Sequence, residues 1–236
     1  MIGRKALDLS SYLIVGPENT KGRLVPDIVR EALGAGFTCV QVRSKTATAR
    51  EMLALVRACA DVRAELGLAE RVALLIDDRL DLVLAARVLG VAVDGVHVGQ
   101  TDVPPEICRK LLGPDAIVGL SAPREELLRY IRAGDLSCVD YLGAGPLRPT
   151  ASKPDAGLLA DGTRHLRTMD ELQTLAQASP VPIVVGGGVT EDDLPAIRAT
   201  GAAGFFVISA VAGVDDPARA AQELVTTWKK AAAPSR

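Results

Sequence analysis

Residues 74–102 read LLIDDRLDLVLAARVLGVAVDGVHVGQTD. Two short apolar runs, 74–76 and 95–98, flank a segment in which Leu80, Leu84, Ala85 and Val88 recur at three- and four-residue spacing. That spacing predicts an amphipathic helix between two strands. A strand–helix–strand unit builds parallel sheet, so both strands end at the same sheet edge. The first run ends in Asp77-Asp78 and the second in Gly99-Gln100-Thr101-Asp102. Two carboxylates on adjacent strand tips can share Mg²⁺, which takes oxygen ligands and is often held by one or two carboxylates with substrate phosphates. The competing reading makes Asp78 a cap of the following helix and Asp102 a cap of the helix after Pro104.

The same unit repeats in both directions. Strands are predicted at 12–15, 39–42, 72–76, 95–98, 117–120, 139–143, 183–185 and 204–208. Helices are predicted at 26–35, 48–66, around 80–88, and at 104–112, 125–133, 169–178, 192–200 and 216–231. Gly36, Gly67, Gly113 and Gly134 stop four of them. Eight strands alternating with helices predict an α/β fold, a single (β/α)8 TIM barrel over residues 1–236, with 1–11 and 232–236 as loose tails. A doubly wound open sheet is the alternative, but no G-x-G-x-x-G follows the first strand. The polar stretch 152–167, with Gly157 and Gly162, is expected to be mobile and to cover the site.

Composition excludes several function classes. A formal net charge of −2 offers no basic field to nucleic acid, and 3% aromatic residues offer few platforms for base stacking. No apolar run reaches membrane-spanning length, and MIGRKALDLS lacks a signal-peptide core. Cys39, Cys59, Cys108 and Cys138 are widely spaced and read as buried thiols of a reducing compartment, so a cytoplasmic protein is expected.

In such a barrel the chemistry sits at the C-terminal strand tips. The tips carry Gln41, Arg43 and Lys45; Asp77 and Asp78; Gln100 and Asp102; Ser121; Thr150, Ser152 and Lys153; Gly186-Gly187-Gly188; and Ser209. Arg43 and Lys45 alternate on an extended segment and point to one side. With two carboxylates opposite, these cations suggest a diphosphate held by Mg²⁺ and lysines. The triple glycine with Ile208-Ser209 forms the phosphate position common after strands seven and eight. His97, inside the fourth strand among apolar neighbours, reads as a satisfied inward-facing histidine rather than a general base; His165 reads as solvated.

QVRSK (41–45), DGVHVGQTD (94–102), GPLRPTASK (145–153), GGGV (186–189) and VISA (207–210) together resemble the thiamine-phosphate synthase family along nearly the whole chain. The resemblance implies an Mg²⁺-dependent transferase. It would join an aminopyrimidine-methyl diphosphate to a thiazole phosphate, giving thiamine phosphate and pyrophosphate by dissociative substitution. Gln41, Val42, Arg43, Ser44 and Lys45, with Asp77, Ser121 and Lys153, would hold the pyrimidine diphosphate. Thr150, Ser152, Gly188, Ile208 and Ser209 would hold the thiazole phosphate, with Ala151 a further substrate contact. Asp78 and Asp102 would bind Mg²⁺, and Arg43, Lys45, Ser121 and Lys153 would carry the catalysis. The partners implied are these two small molecules, with a homo-oligomer also allowed.

Five features depart from the family pattern; two are mild, Ser152 in place of a Thr, which keeps the hydroxyl, and a polar stretch after Lys153 longer than usual. Asp77 stands where the family has Asn, so an amide donor becomes a negative charge that repels the diphosphate unless a cation or proton offsets it. Arg148 stands at an aromatic position. Ala122-Pro123 follows Ser121 where the family has a His. Two alternatives follow: a barrel paralogue that binds a thiazole or thiamine phosphate without catalysis or with an altered substrate, and a thiazole tautomerase. The tautomerase would need a His where Pro123 stands.

Overall fold

The computed structural model describes residues 7–122, 127–153, 156–159 and 161–231. Eight parallel strands, β1 (Ser11–Val15), β2 (Cys39–Val42), β3 (Ala73–Asp77), β4 (Gly95–Val98), β5 (Ile117–Ser121), β6 (Tyr141–Ala144), β7 (Ile183–Val185) and β8 (Gly204–Val207), lie side by side in chain order. Pairing of β1 with β8 closes them into a barrel, which removes the open-sheet alternative. Around it run α1 (Val25–Ala35), α2 (Ala49–Glu65), α3 (Leu80–Val88), α4 (Pro105–Leu112), α5 (Leu127–Ala133), α6 (Met169–Ala178), α7 (Leu194–Ala199), α8 (Ser209–Ala212) and α9 (Pro217–Lys230). This is a TIM barrel.

Side chains alternate along each strand, and the alternation builds two cores. Leu13, Val40, Val42, Leu74, Ile76, Val96, Val118, Leu120 and Leu142 belong to the layer between barrel and helices. Tyr12, Ile14, Cys39, Ala73, Leu75, Ile117, Tyr141 and Val184 fill the barrel interior. Continued in steps of two residues, the interior rows reach Gln41 and Arg43, Asp77, and Ser121, all of which line the mouth. Gly119 makes room for the interior tyrosine: a Cβ there would lie 2.2 Å from the Tyr141 ring.

The opposite, N-terminal edge is held by two matching ion pairs. Asp94, just before β4, accepts from the Leu74 backbone at 2.8 Å and from buried Arg63 of α2. Asp140, just before β6, accepts from the Val118 backbone at 2.7 Å and from Arg109 of α4 at 2.6 Å. Buried charges persist only when paired and hydrogen-bonded, and both carboxylates also complete the ladder of a neighbouring strand.

Four expectations need correction. Leu9 is buried at 4% exposure and Ser11 opens β1, so the chain packs before residue 11 rather than leaving 1–11 loose. On α3 the buried residues are Leu80, Leu82, Val83 and Ala86, whereas Val88 is 88% exposed. Apart from Asp81 and Arg87 that segment is apolar throughout, so its sequence leaves the buried phase open. The helix expected at 192–200 is a 3-10 turn, Glu191–Asp193, followed by α7. Cys138 is partly exposed, while the other three thiols are buried. Pro123, the predicted helix start at 125, and the tails 1–6 and 232–236 lie outside the described residues.

Candidate active site

The strand tips enclose a cavity of about 870 Å³. Gln41, Arg43, Lys45, Asp77, Asp78, Asp102, Ser121, Thr150, Lys153, Gly188, Ile208 and Ser209 all line it. Val42 does not; its parity turns it outward into the helix-facing core, fully buried. Ser44 turns to Glu18, and Ala151 and Ser152 lie outside the lining.

Neither Asp78 nor Asp102 caps a helix. The N-terminal flanks of α3 and α4 are Arg79 and Pro104, and neither helix has a side-chain cap. Asp78 instead takes a left-handed backbone, φ 59°, held by its amide donating to the His97 carbonyl at 2.7 Å. A non-glycine residue in that region costs of order 1–3 kcal/mol, the kind of strain that collects at working sites. Its carboxyl group meets that of Asp102, whose Oδ2 also accepts from the Gly99 amide at 2.8 Å. Burial, then the hydrogen bond with Asp78 and its charge, raise the Asp102 carboxyl above its ordinary value against the opposing Gly99 amide. Burial is the largest single effect on Asp78 and opposes ionisation, but the Lys45 hydrogen bond and charge, with the hydrogen bonds from Asp102 and Asp77, together hold Asp78 low. Two facing carboxyl groups need a shared proton or a cation. An all-oxygen pair opening into a cavity with room for substrate phosphates fits Mg²⁺. Among the described residues, no group of three or more His, Cys, Asp or Glu side chains could hold a metal.

Asp77 has both of the offsets its charge requires. Arg43 Nε lies 3.1 Å from its carboxylate and Lys45 Nζ 3.7 Å away. Burial, and then the Asp78 charge, push its carboxyl up to about 7. Near neutrality Asp77 is therefore partly protonated.

Arg148 does not enter the cavity. Both guanidinium ends reach Asp193 at 2.7 Å, and one also donates to the Gly188 carbonyl at 3.0 Å. These bonds hold the Asp193 carboxyl down to about 2. Asp193 in turn accepts from the Thr190 amide at 2.8 Å, so the strand-six loop is clasped to the turn after β7. In that turn Gly187 and Gly188 have φ of 82° and 77°.

Sequence reasoning missed Glu18. Its carboxylate accepts from Thr46 Oγ1 at 2.9 Å, the Lys45 amide at 3.0 Å and the Ser44 hydroxyl at 2.5 Å, so it shapes the segment that carries Arg43 and Lys45. Against the opposing effect of burial, the Ser44 hydrogen bond leads in holding Glu18 down to about 2. The acidic residue in GPEN, just past the first strand tip, was the available signal. His97 is satisfied and inward-facing, with both ring nitrogens on hydroxyls. Burial, then the Lys153 charge, lower it to about 4, so it is neutral near pH 7. His165 is half-buried and faces Glu171 at 3.2 Å, rather than being solvated.

Residues 11–211 match the family model described as thiamine monophosphate synthase. The thiamine-phosphate synthase of Corynebacterium efficiens is 40% identical over 223 residues, covering 94% of this chain and 96% of the relative. That of Moorella thermoacetica is 37% identical over 215 residues, covering 90% and 92%. Among solved structures, the thiamine phosphate pyrophosphorylase of Pyrococcus furiosus superimposes with a TM-score of 0.76 at 30% identity, covering 96% of this chain and 98% of that one. The orotidine 5'-phosphate decarboxylase of Pyrococcus horikoshii, at 14% identity and a TM-score of 0.62, shares the fold.

Proposed function

This chain belongs to the thiamine monophosphate synthase family, and we propose that its cavity joins an aminopyrimidine-methyl diphosphate to a thiazole phosphate, with the two phosphate groups at opposite sides of one mouth. Its activity is that of a thiamine-phosphate synthase, a transferase. The observation that carries the site assignment is the division of the lining. Arg43, Lys45, Asp78, Asp102 and Lys153 supply charge, whereas the turn 186–188 with Ile208 and Ser209 supplies backbone and a hydroxyl.

On this reading Asp78 and Asp102 would hold Mg²⁺, which would neutralise charge on the leaving diphosphate. Arg43, Lys45 and Lys153 bind the same group and are preset to stabilise it as the methylene carbon–oxygen bond breaks. The thiazole nitrogen then takes the methylene carbon, and pyrophosphate leaves with the bonding pair. No strong base is required, which agrees with His97 being neutral and engaged in hydrogen bonds. The glycine turn holds the thiazole phosphate so that the nitrogen faces that carbon, and enclosure limits capture by water. A cytoplasmic setting is part of the proposal and suits the free cysteines.

Purified protein mixed with both substrates is expected to form thiamine phosphate and pyrophosphate in equal amounts with Mg²⁺ and neither with chelator. Thiazole phosphate binding without turnover would favour the non-catalytic paralogue instead.

Two variants separate the halves. Glu18→Ala releases the loop bearing Arg43 and Lys45; steady-state kinetics should show KM for the pyrimidine diphosphate rising about tenfold, the effect of roughly one lost charge-assisted hydrogen bond, with KM for thiazole phosphate unchanged. Gly188→Ala forces a side chain into φ 77° with its Cβ 2.8 Å from Arg148 Cβ. Strain of order 1–3 kcal/mol at that turn should weaken thiazole phosphate binding by calorimetry roughly tenfold or more.

A further inference from the structure

A line of hydrogen bonds crosses the barrel beneath the cavity and ends in two of its lining residues. Gln41 Nε2 lies 2.6 Å from Tyr12 Oη, and Tyr12 Oη lies 2.8 Å from Tyr141 Oη. Tyr141 Oη lies 2.9 Å from His97 Nδ1, and His97 Nε2 lies 3.0 Å from Ser121 Oγ. Gln41, Tyr12, Tyr141 and His97 are all buried, and the chemistry above uses neither tyrosine. The His97 and Tyr141 rings stack with centroids 5.4 Å apart, which holds the plane of the imidazole.

Each hydroxyl carries one proton, so direction propagates along the line. An amide nitrogen only donates. Gln41 gives a hydrogen to Tyr12, which leaves Tyr12 to donate to Tyr141 and Tyr141 to donate to His97 Nδ1. A neutral imidazole that accepts at Nδ1 carries its proton on Nε2. That N–H donates to Ser121 Oγ, and the Ser121 proton is left for the cavity. Run the other way, with the Gln41 carbonyl toward Tyr12, the line would end with Ser121 donating to His97 and only lone pairs facing the ligand.

We infer that this line makes Ser121 a hydrogen-bond donor into the cavity, with His97 its positioning residue in the Nε2–H form. The ligand atom that takes the Ser121 proton is then an acceptor, a phosphate oxygen or an unprotonated ring nitrogen. The surroundings agree: Arg43, Lys45 and Lys153 line the same cavity, and an acceptor hydroxyl among them would turn lone pairs toward an anion. The ligand's identity rests on the proposed function; the proton order does not.

The chain has two histidines, so nitrogen-15 histidine labelling of the full-length protein gives two imidazoles, and His165→Gln assigns them. Long-range nitrogen–proton correlation spectra should show His97 as a pure Nε2–H tautomer without any substrate present. Tyr141→Phe breaks the line and should give a tautomer mixture, with kcat/KM for the pyrimidine diphosphate falling roughly tenfold, about one hydrogen bond's worth. A pure Nδ1–H tautomer in the wild-type protein overturns the inference, whether or not Tyr141→Phe folds. So does a folded Tyr141→Phe protein that keeps a pure tautomer and full kcat/KM. An Nε2–H spectrum in a protein that makes no thiamine phosphate would sustain the proton order and count against the proposed function alone.

Discussion

Asp102→Ala is expected to lower Mg²⁺-dependent formation of thiamine phosphate by about a hundred- to a thousandfold, the range for losing one preset electrostatic contributor. Thiazole phosphate binding, measured by calorimetry, should be nearly intact, because Asp102 belongs to the charged half of the cavity. Asp102 has a second role that the alanine also removes, since its carboxylate accepts the Gly99 amide. Asp102→Asn keeps an acceptor for that amide while removing the charge shared with Asp78. Equal losses in Ala and Asn would assign the effect to the charge; recovery in Asn would assign it to the loop. An unchanged rate in both would remove Asp102 from the site.

Asp77→Asn should lower the KM for the pyrimidine diphosphate about tenfold at about pH 8 and change it little at about pH 6. A unit charge ~5 Å from a diphosphate oxygen costs roughly 3 kcal/mol at an effective dielectric of ~20, and Arg43 and Lys45 offset part of it. The sign follows from the carboxyl being pushed up to about 7. Below that value Asp77 is protonated and repels nothing; above it the charge appears and the wild-type KM climbs. The Asn variant should show no such climb. Steady-state kinetics of both proteins across this range decide the matter. A higher KM in the variant would instead make Asp77 a working ligand that holds Arg43 or the metal in place.

The barrel was legible because its inward rows share a parity. Once 74–76 and 95–98 are strands, the next residues outward reach the mouth, and Asp77, Asp78 and Asp102 can be placed without coordinates. The same rule could have excluded Val42, which sits one residue out of phase between Gln41 and Arg43 and faces the helices. Periodicity marked α3 as a helix but not which face it buries, because apolar residues occupy both faces. Nor did it mark Glu18, a loop carboxylate whose partners Ser44 and Thr46 lie on the next strand's loop. Arg148 looked like an intrusion at an aromatic position because its partner, Asp193, is 45 residues away. A side chain's direction across such a separation is set by packing of the two loops, which no local pattern encodes.

The line from Gln41 to Ser121 was half visible. A histidine among apolar neighbours on a strand must be hydrogen-bonded if it is buried. Its partners, Tyr141 and Ser121, come from β6 and β5, so only the closed barrel names them.

The most direct measurement of the two-sided cavity is a crystal structure with thiamine phosphate, pyrophosphate and Mg²⁺ bound together. The account predicts pyrophosphate and metal among Arg43, Lys45, Asp78, Asp102 and Lys153, and the thiamine phosphate's phosphate on Gly188, Ile208 and Ser209. Pyrophosphate on the glycine turn, or metal away from Asp78 and Asp102, would contradict it.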